Sequence, residues 1–130
     1  MIVLDVSAAY EILLKKEHSD FFASKLKQSQ YIIAPDLFVS EMVNTAWKYH
    51  QFGHLTHEEL LLLIDDGLNL IDEFFPVIDF WKEALAESIR LKHSVYDVFY
   101  FLVARRNDAH LLTRDRKLIQ IATENGLKVN

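Results

Sequence analysis

Short apolar runs rich in β-branched residues alternate with longer stretches of helical period along this chain. Ile2-Val3-Leu4 is a brief strand-like run that stops at Asp5, and Ser7 is placed to cap a helix over Ala8–Lys16. A second helix is predicted over Asp20–Lys27. Tyr31–Ala34 reads as the next strand, and Pro35-Asp36 suit the entry to a long helix reaching about His50. Gly53 interrupts the period, after which Thr56-His57-Glu58-Glu59 has the form of a capping box for a helix through Ile64. Leu70–Phe74 reads as a third strand closed by Pro76, and Asp79 opens a helix to about Leu91. Ser94-Val95-Tyr96-Asp97 repeats the capping-box pattern ahead of the apolar run Val98–Ala104. Ala109–Thr113 then reads as a strand, Arg116–Glu124 as a helix stopped by Gly126, and Leu127–Val129 as a last strand. Strands separated by helices imply a parallel sheet with helices on both faces, so the predicted fold class is an α/β sandwich.

Composition narrows the picture. A chain of 130 residues fits one domain spanning residues 1–130, and no repeat, low-complexity tract or composition shift marks a linker. The absence of cysteine excludes disulfides, thiolate zinc sites and cysteine nucleophiles, and it fits a reducing cytoplasm. No stretch approaches the roughly 20 apolar residues that span a bilayer, and the N-terminus has no basic region ahead of its apolar run. A soluble, cytoplasmic protein without a membrane partner is expected. The net charge of -5 argues against a module that coats phosphates with lysine and arginine. It leaves room for an enzyme that gathers acids around metal ions.

In a parallel α/β fold, ligands sit beyond the carboxyl ends of the strands. Asp5 follows the first predicted strand directly, and Asp115 lies just past the fourth. Asp97 occupies the third position of the helix capped by Ser94, and Glu41 lies in the second turn of the helix after strand two. Metal-assisted phosphodiester hydrolysis uses such carboxylates, because Mg²⁺ and Mn²⁺ prefer oxygen ligands. Each acid also has a plainer role. Asp115 could be the N-cap of Arg116–Glu124, Asp97 the reciprocal member of a capping box, and Asp5 a turn acid. Glu41 shares a helix face with Asn44, Thr45 and Lys48, opposite Phe38, Val39, Met42, Val43 and Ala46, where periodicity treats it as solvated.

Taken together, four segments resemble the PIN-domain ribonucleases, most of all the VapC toxins of toxin–antitoxin pairs. They are Ile2–Ala8, Ser40-Glu41-Met42-Val43-Asn44, Ser94-Val95-Tyr96-Asp97 with the apolar helix after it, and Thr113-Arg114-Asp115-Arg116-Lys117-Leu118. The resemblance covers essentially the whole chain. It implies a PIN-like three-layer sandwich with a short central parallel sheet, and a Mg²⁺- or Mn²⁺-dependent endoribonuclease that uses a metal-activated water. Asp5, Glu41, Asp97 and Asp115 would form the acidic pocket, with Asp5 and Asp97 as direct metal ligands and Glu41 and Asp115 holding bound waters or a second ion. Ser7 and Thr113 match hydroxyl positions that orient the carboxylates, and Asn44 matches a further polar position. Three residues depart from the family pattern: Val98 and Arg114, where small residues are usual, and Lys117, where some relatives carry another acid. The resemblance also implies a tRNA or ribosomal RNA substrate, a cognate antitoxin and a homodimer.

Arg114 and Arg116 flank Asp115 and are candidates for RNA phosphate contact. Arg105 and Arg106 end a predicted helix, where they would offset its dipole. His50, His54 and His57 straddle Gly53 rather than sharing a helix face, which does not suit a zinc site. Part of the Leu60–Ile64 run is expected to stay exposed and could meet a second copy or an antitoxin segment. Two other classes remain open: a catalytically silent PIN-like binding module, and an aspartate-based phosphatase. The latter usually has a second Asp two residues after the first, where this chain has Ser7.

Overall fold

The computed structural model of the chain describes residues 1–130. At its centre lie four parallel strands, β1 (Ile2–Leu4), β2 (Ile32–Pro35), β3 (Glu73–Phe75) and β4 (His110–Leu112), in the order β3-β2-β1-β4. The helices are α1 (Val6–Leu13), α2 (Ser19–Gln28), α3 (Leu37–Gln51), α4 (His57–Leu68), α5 (Trp81–Leu91), α6 (Val95–Arg106) and α7 (Arg116–Glu124), with a 3₁₀ turn at Val77–Asp79. Helices α1 to α4 pack among themselves, and α5, α6 and α7 form a second group. Handedness explains this division. Connections from β1 to β2 to β3 advance one way across the sheet and lay their helices on one face, whereas the return to β4 reverses direction and lays α5 and α6 on the other. The expected three-layer α/β sandwich is the fold observed.

Strands this short cannot hold a sheet alone, and α6 supplies most of what covers them. Val98 through Ala104 are all buried, and the helix lies against β1, β2 and β4. A helix apolar on every side belongs inside a protein rather than at its surface. On the opposite layer, α4 approaches α3 closely at Gly67, where an added Cβ would overlap the Met42 methyl.

Several boundaries differ from expectation, each for a local reason. The Thr56–Glu59 capping box forms as predicted, with both reciprocal bonds at 3.2 Å. Its helix continues past Ile64 to Leu68, because Asp65, Asp66 and Gly67 do not end it. That extra turn displaces the next strand: Leu70 and Ile71 bond back to Gly67 and Leu68, and β3 begins only at Glu73. Helix α1 starts at Val6 with Asp5 in the N-cap position, so Ser7 sits inside the first turn and does not cap it. The helix expected to open at Asp79 opens at Trp81 after the 3₁₀ turn. Leu127–Val129 forms no strand but a single bridge from Val129 to Leu111. Helix α7 matches its predicted span, and Gly126 follows with φ +75°, a left-handed turn suited to glycine. No helix is long and apolar enough to cross a membrane.

If α6 holds the layers together, Leu102→Ala should destabilise the protein by about 2–5 kcal/mol, since Leu102 is fully buried. Ile89→Ala, at a residue that is 70% exposed, should change stability by no more than about 0.5 kcal/mol. Urea denaturation of both variants checks the contrast, and equal effects would contradict it.

Candidate active site

Connections leave β1 and β4 in opposite directions, which opens a crevice at the carboxyl ends of those two strands. Asp5 and Asp115 lie at that crevice. The Asp5 amide still belongs to the sheet, donating to the Leu112 carbonyl at 3.0 Å. Its carboxylate is turned inward and only 8% of the residue is exposed. Two hydroxyls support it: Ser7 Oγ donates to Asp5 Oδ2 at 2.5 Å, and Thr113 Oγ1 donates to the same oxygen at 2.7 Å. Those hydroxyls are themselves placed by backbone, since Arg114 N–H donates to Ser7 Oγ at 2.8 Å and Asp115 N–H to Thr113 Oγ1 at 2.9 Å. Ser7 and Thr113 thus tie the start of α1 to the turn after β4.

Asp115 combines the two roles that its sequence left open. It is the N-cap of α7, with Oδ1 accepting from the amides of Lys117 at 2.8 Å and Leu118 at 3.0 Å. Both caps use one oxygen, so the other is left for the cleft. Glu41 is half-buried on α3, where the Tyr100 hydroxyl of α6 donates to Oε1 at 2.7 Å. Asp97 does not close the expected capping box. Ser94 Oγ accepts from Tyr96 N–H at 3.4 Å, while the Asp97 carboxylate faces the cleft with Oδ2 3.4 Å from His93 Nδ1. Apart from that approach, the buried His93 ring nitrogens have no partner.

All four acids line one open cleft of about 430 Å³, together with Ser7, Tyr10, Glu11, Lys16, Thr45, Tyr49 and Arg114. Their crowding has an electrostatic consequence. Burial pushes the Asp5 carboxyl above its ordinary range, outweighing the Ser7 and Thr113 hydrogen bonds, and the charge of Asp115 adds to the rise. Glu41 is raised to about 7, chiefly by burial and further by Asp5, Asp97 and Asp115, against the Tyr100 hydrogen bond. Asp97 is raised to about 6 by burial and then Asp115, against the opposing pull of His93 and Lys117. Tyr100 is pushed well above its usual value by burial and the neighbouring acids, so its hydroxyl stays a donor.

Other expected residues fall differently. Asn44 is exposed, bonds to none of the four acids and lines a neighbouring groove, while Thr45 beside it faces the cleft. The Arg114 guanidinium stands at the cleft wall, donating to Glu11 Oε1 at 2.7 Å. Arg116 is exposed on the first turn of α7, outside the cleft wall. Arg105 and Arg106 are occupied by Glu83 and Glu87 of α5. Two further site residues carry a signal in the sequence. Glu11 is an acid inside the apolar stretch Val6–Leu14, and Tyr100 carries the one side-chain oxygen within Val98–Ala104. A polar atom in an apolar run usually has a buried partner.

These features define an α/β protein with an acidic cleft at the switch point of a parallel sheet. The PIN domain family matches residues 2–124, and the chain belongs to that family. It is similar to Ribonuclease VapC3 of Pyrobaculum aerophilum, with 27% identity over an alignment of 125 residues that covers 92% of this chain and 92% of that one. The crystal structure of PAE2754 from Pyrobaculum aerophilum shares the fold, with a TM-score of 0.74 at 21% identity over 98% of this chain and 82% of that one.

The raised Glu41 pKa has a determinate sign. Its folded-state proton is bound more tightly than in the unfolded chain, so this stabilising contribution is complete below about pH 4.5 and is lost as pH rises toward about 7. Glu41→Gln keeps an acceptor for Tyr100 and removes the charge. In metal-free buffer at pH 8 it should be more stable than the wild type by about 1–2 kcal/mol, after allowance for solvent screening. The gap should close at pH 4.5. Urea denaturation at the two pH values checks this, and a variant less stable at pH 8 would refute it.

Proposed function

We propose that this protein is a Mg²⁺- or Mn²⁺-dependent endoribonuclease of the VapC type, cleaving RNA at the cleft of Asp5, Glu41, Asp97 and Asp115. The observation that carries the reading is a gathering of acids that no lysine or arginine pairs. Four carboxylates from four segments converge on one open cleft, and none is ion-paired to a lysine or arginine. Buried like charges are costly unless a cation joins them.

The donor set fits a hard divalent ion. It consists of carboxylate and hydroxyl oxygens with no thiolate. No three acidic or histidine side chains are close enough to enclose an ion by themselves. Magnesium accommodates that, since it is commonly held by one or two carboxylates and keeps several waters. Asp5 and Asp97 would hold the ion, with Glu41 and Asp115 supporting its waters or a second ion. Bound there, the ion supplies Lewis-acid stabilisation of the phosphate oxygens and lowers the pKa of a water.

The remaining work falls to the chain itself. Ser7 and Thr113 fix the Asp5 carboxylate, the α7 amides fix Asp115, and Tyr100 fixes Glu41. Arg114 and Lys16 line the same cleft and offer positive charge to an RNA phosphate, and Arg116 is exposed on the first turn of α7, outside the cleft wall. Similarity to a protein named Ribonuclease VapC3 supports RNA as the substrate, with tRNA or ribosomal RNA as the class and the cytoplasm as its place. A cognate antitoxin and a second copy are the proposed protein partners. Leu61 and Leu62 of α4, which are 55% and 69% exposed beside buried Leu60, support an apolar contact there.

Incubation of total RNA with the purified protein and Mg²⁺ or Mn²⁺ should give discrete fragments. EDTA should abolish cleavage and added Mn²⁺ should restore it. Ser7→Ala should lower the rate about 10- to 100-fold, and Asp5→Asn or Asp97→Asn should lower it further. An identical RNA background from wild type and variants, with no Mn²⁺ binding by calorimetry, would replace this reading with that of a silent binding module.

A further inference from the structure

Beside the acidic cleft, across Glu41 and Thr45, lies a second groove of about 370 Å³ walled by Ser40, Asn44, Lys48 and Tyr96. Two of its walls are therefore walls of the acidic cleft as well. A ligand that occupies both extends across Glu41 and Thr45, as a polymer chain does. Tyr96 and Asp97 are consecutive on α6, yet Asp97 faces the acids and Tyr96 faces the flanking groove. The Tyr96 backbone is held by the Ser94 cap, while its side chain is 63% exposed and its ring stacks on no other aromatic. Lys48 forms no ion pair, and neither Asn44 nor Ser40 uses its side chain in a hydrogen bond within the protein.

A free ring face, a free cation and two uncommitted hydrogen-bonding side chains are what an unpaired nucleotide requires. The base stacks, the phosphate meets the cation, and the base edge meets the amide and hydroxyl. The charge of the whole chain reinforces the argument. At net -5 the chain offers RNA little general attraction, and a stacking contact adds what charge does not supply. We propose that this groove binds the nucleotide adjoining the cleaved phosphate, with Tyr96 stacking on its base and Lys48 on its phosphate. The inference rests on the ribonuclease reading and adds a recognition site to it.

Fluorescence anisotropy with two labelled strands of equal phosphate count, oligouridine and its abasic counterpart, tests the groove in calcium buffer. The wild type should bind oligouridine about 5- to 10-fold more tightly than the abasic strand. Tyr96→Ala should bind both strands alike, whereas Tyr96→Phe should keep the preference because the ring remains. Lys48→Gln should weaken both strands alike and make the salt dependence shallower by about 0.7 in log–log slope. Tyr96→Ala that still prefers oligouridine, or that weakens both strands equally, overturns the subsite while leaving the nuclease reading intact if total RNA is still cut. A wild type that binds neither strand and leaves total RNA intact overturns both.

Discussion

The architecture of this protein turns on a carboxylate held almost out of water at the end of its central sheet. Asp5 follows β1, which is paired on both sides, and sits against the turn after β4. A buried acid would ordinarily be excluded from such a place. Here the Ser7 and Thr113 hydroxyls receive it, and the amides of Arg114 and Asp115 orient those hydroxyls. Two hydrogen-bond layers therefore link β1, α1 and the β4–α7 turn. The same bonds that make Asp5 tolerable fix its direction, so stability of the turn and geometry of the site are one problem.

Helix α6 serves both the core and the cleft. Its middle, Val98–Ala104, is buried against the sheet, and its first turn delivers Asp97 to the acids and Tyr96 to the neighbouring groove. One turn later, Tyr100 reaches across to Glu41 on α3. That bond bridges the two helical layers at the carboxyl edge of the sheet. Glu41 remains raised to about 7 despite it, because burial and the other three acids outweigh one hydrogen bond. The cleft is thus built under electrostatic strain that a divalent cation would relieve.

Much of this was readable from the residues in order. Ile2-Val3-Leu4 ending in an acid, the Thr56 capping box and the α7 span all lie where local rules place them. Asp5, Asp97 and Asp115 could each be located because strand ends and helix starts are local features. Periodicity does not find Glu41, since a half-buried acid on the polar face of α3 looks solvated until Tyr100 closes over it. Between Asn44 and Thr45, one residue decides which groove a side chain enters: Asn44 lines the neighbouring groove alone, whereas Thr45 also lines the acidic cleft. The shift of β3 to Glu73 depends on α4 continuing through Gly67, which is packed against Met42. That contact is tertiary, and no window of sequence contains it.

Proton release on cation binding tests the central claim most directly. Calorimetric titration with Mn²⁺ at pH 6.5, in two buffers of different ionisation enthalpy, counts the protons displaced as the ion binds. With Glu41 raised to about 7 and Asp97 to about 6, binding should expel a substantial part of a proton, and the amount should shrink as pH rises to 8.5. Asp97→Asn should bind far more weakly. Binding without proton release at pH 6.5, or no binding at all, would contradict the account of a strained acidic cleft completed by a metal ion.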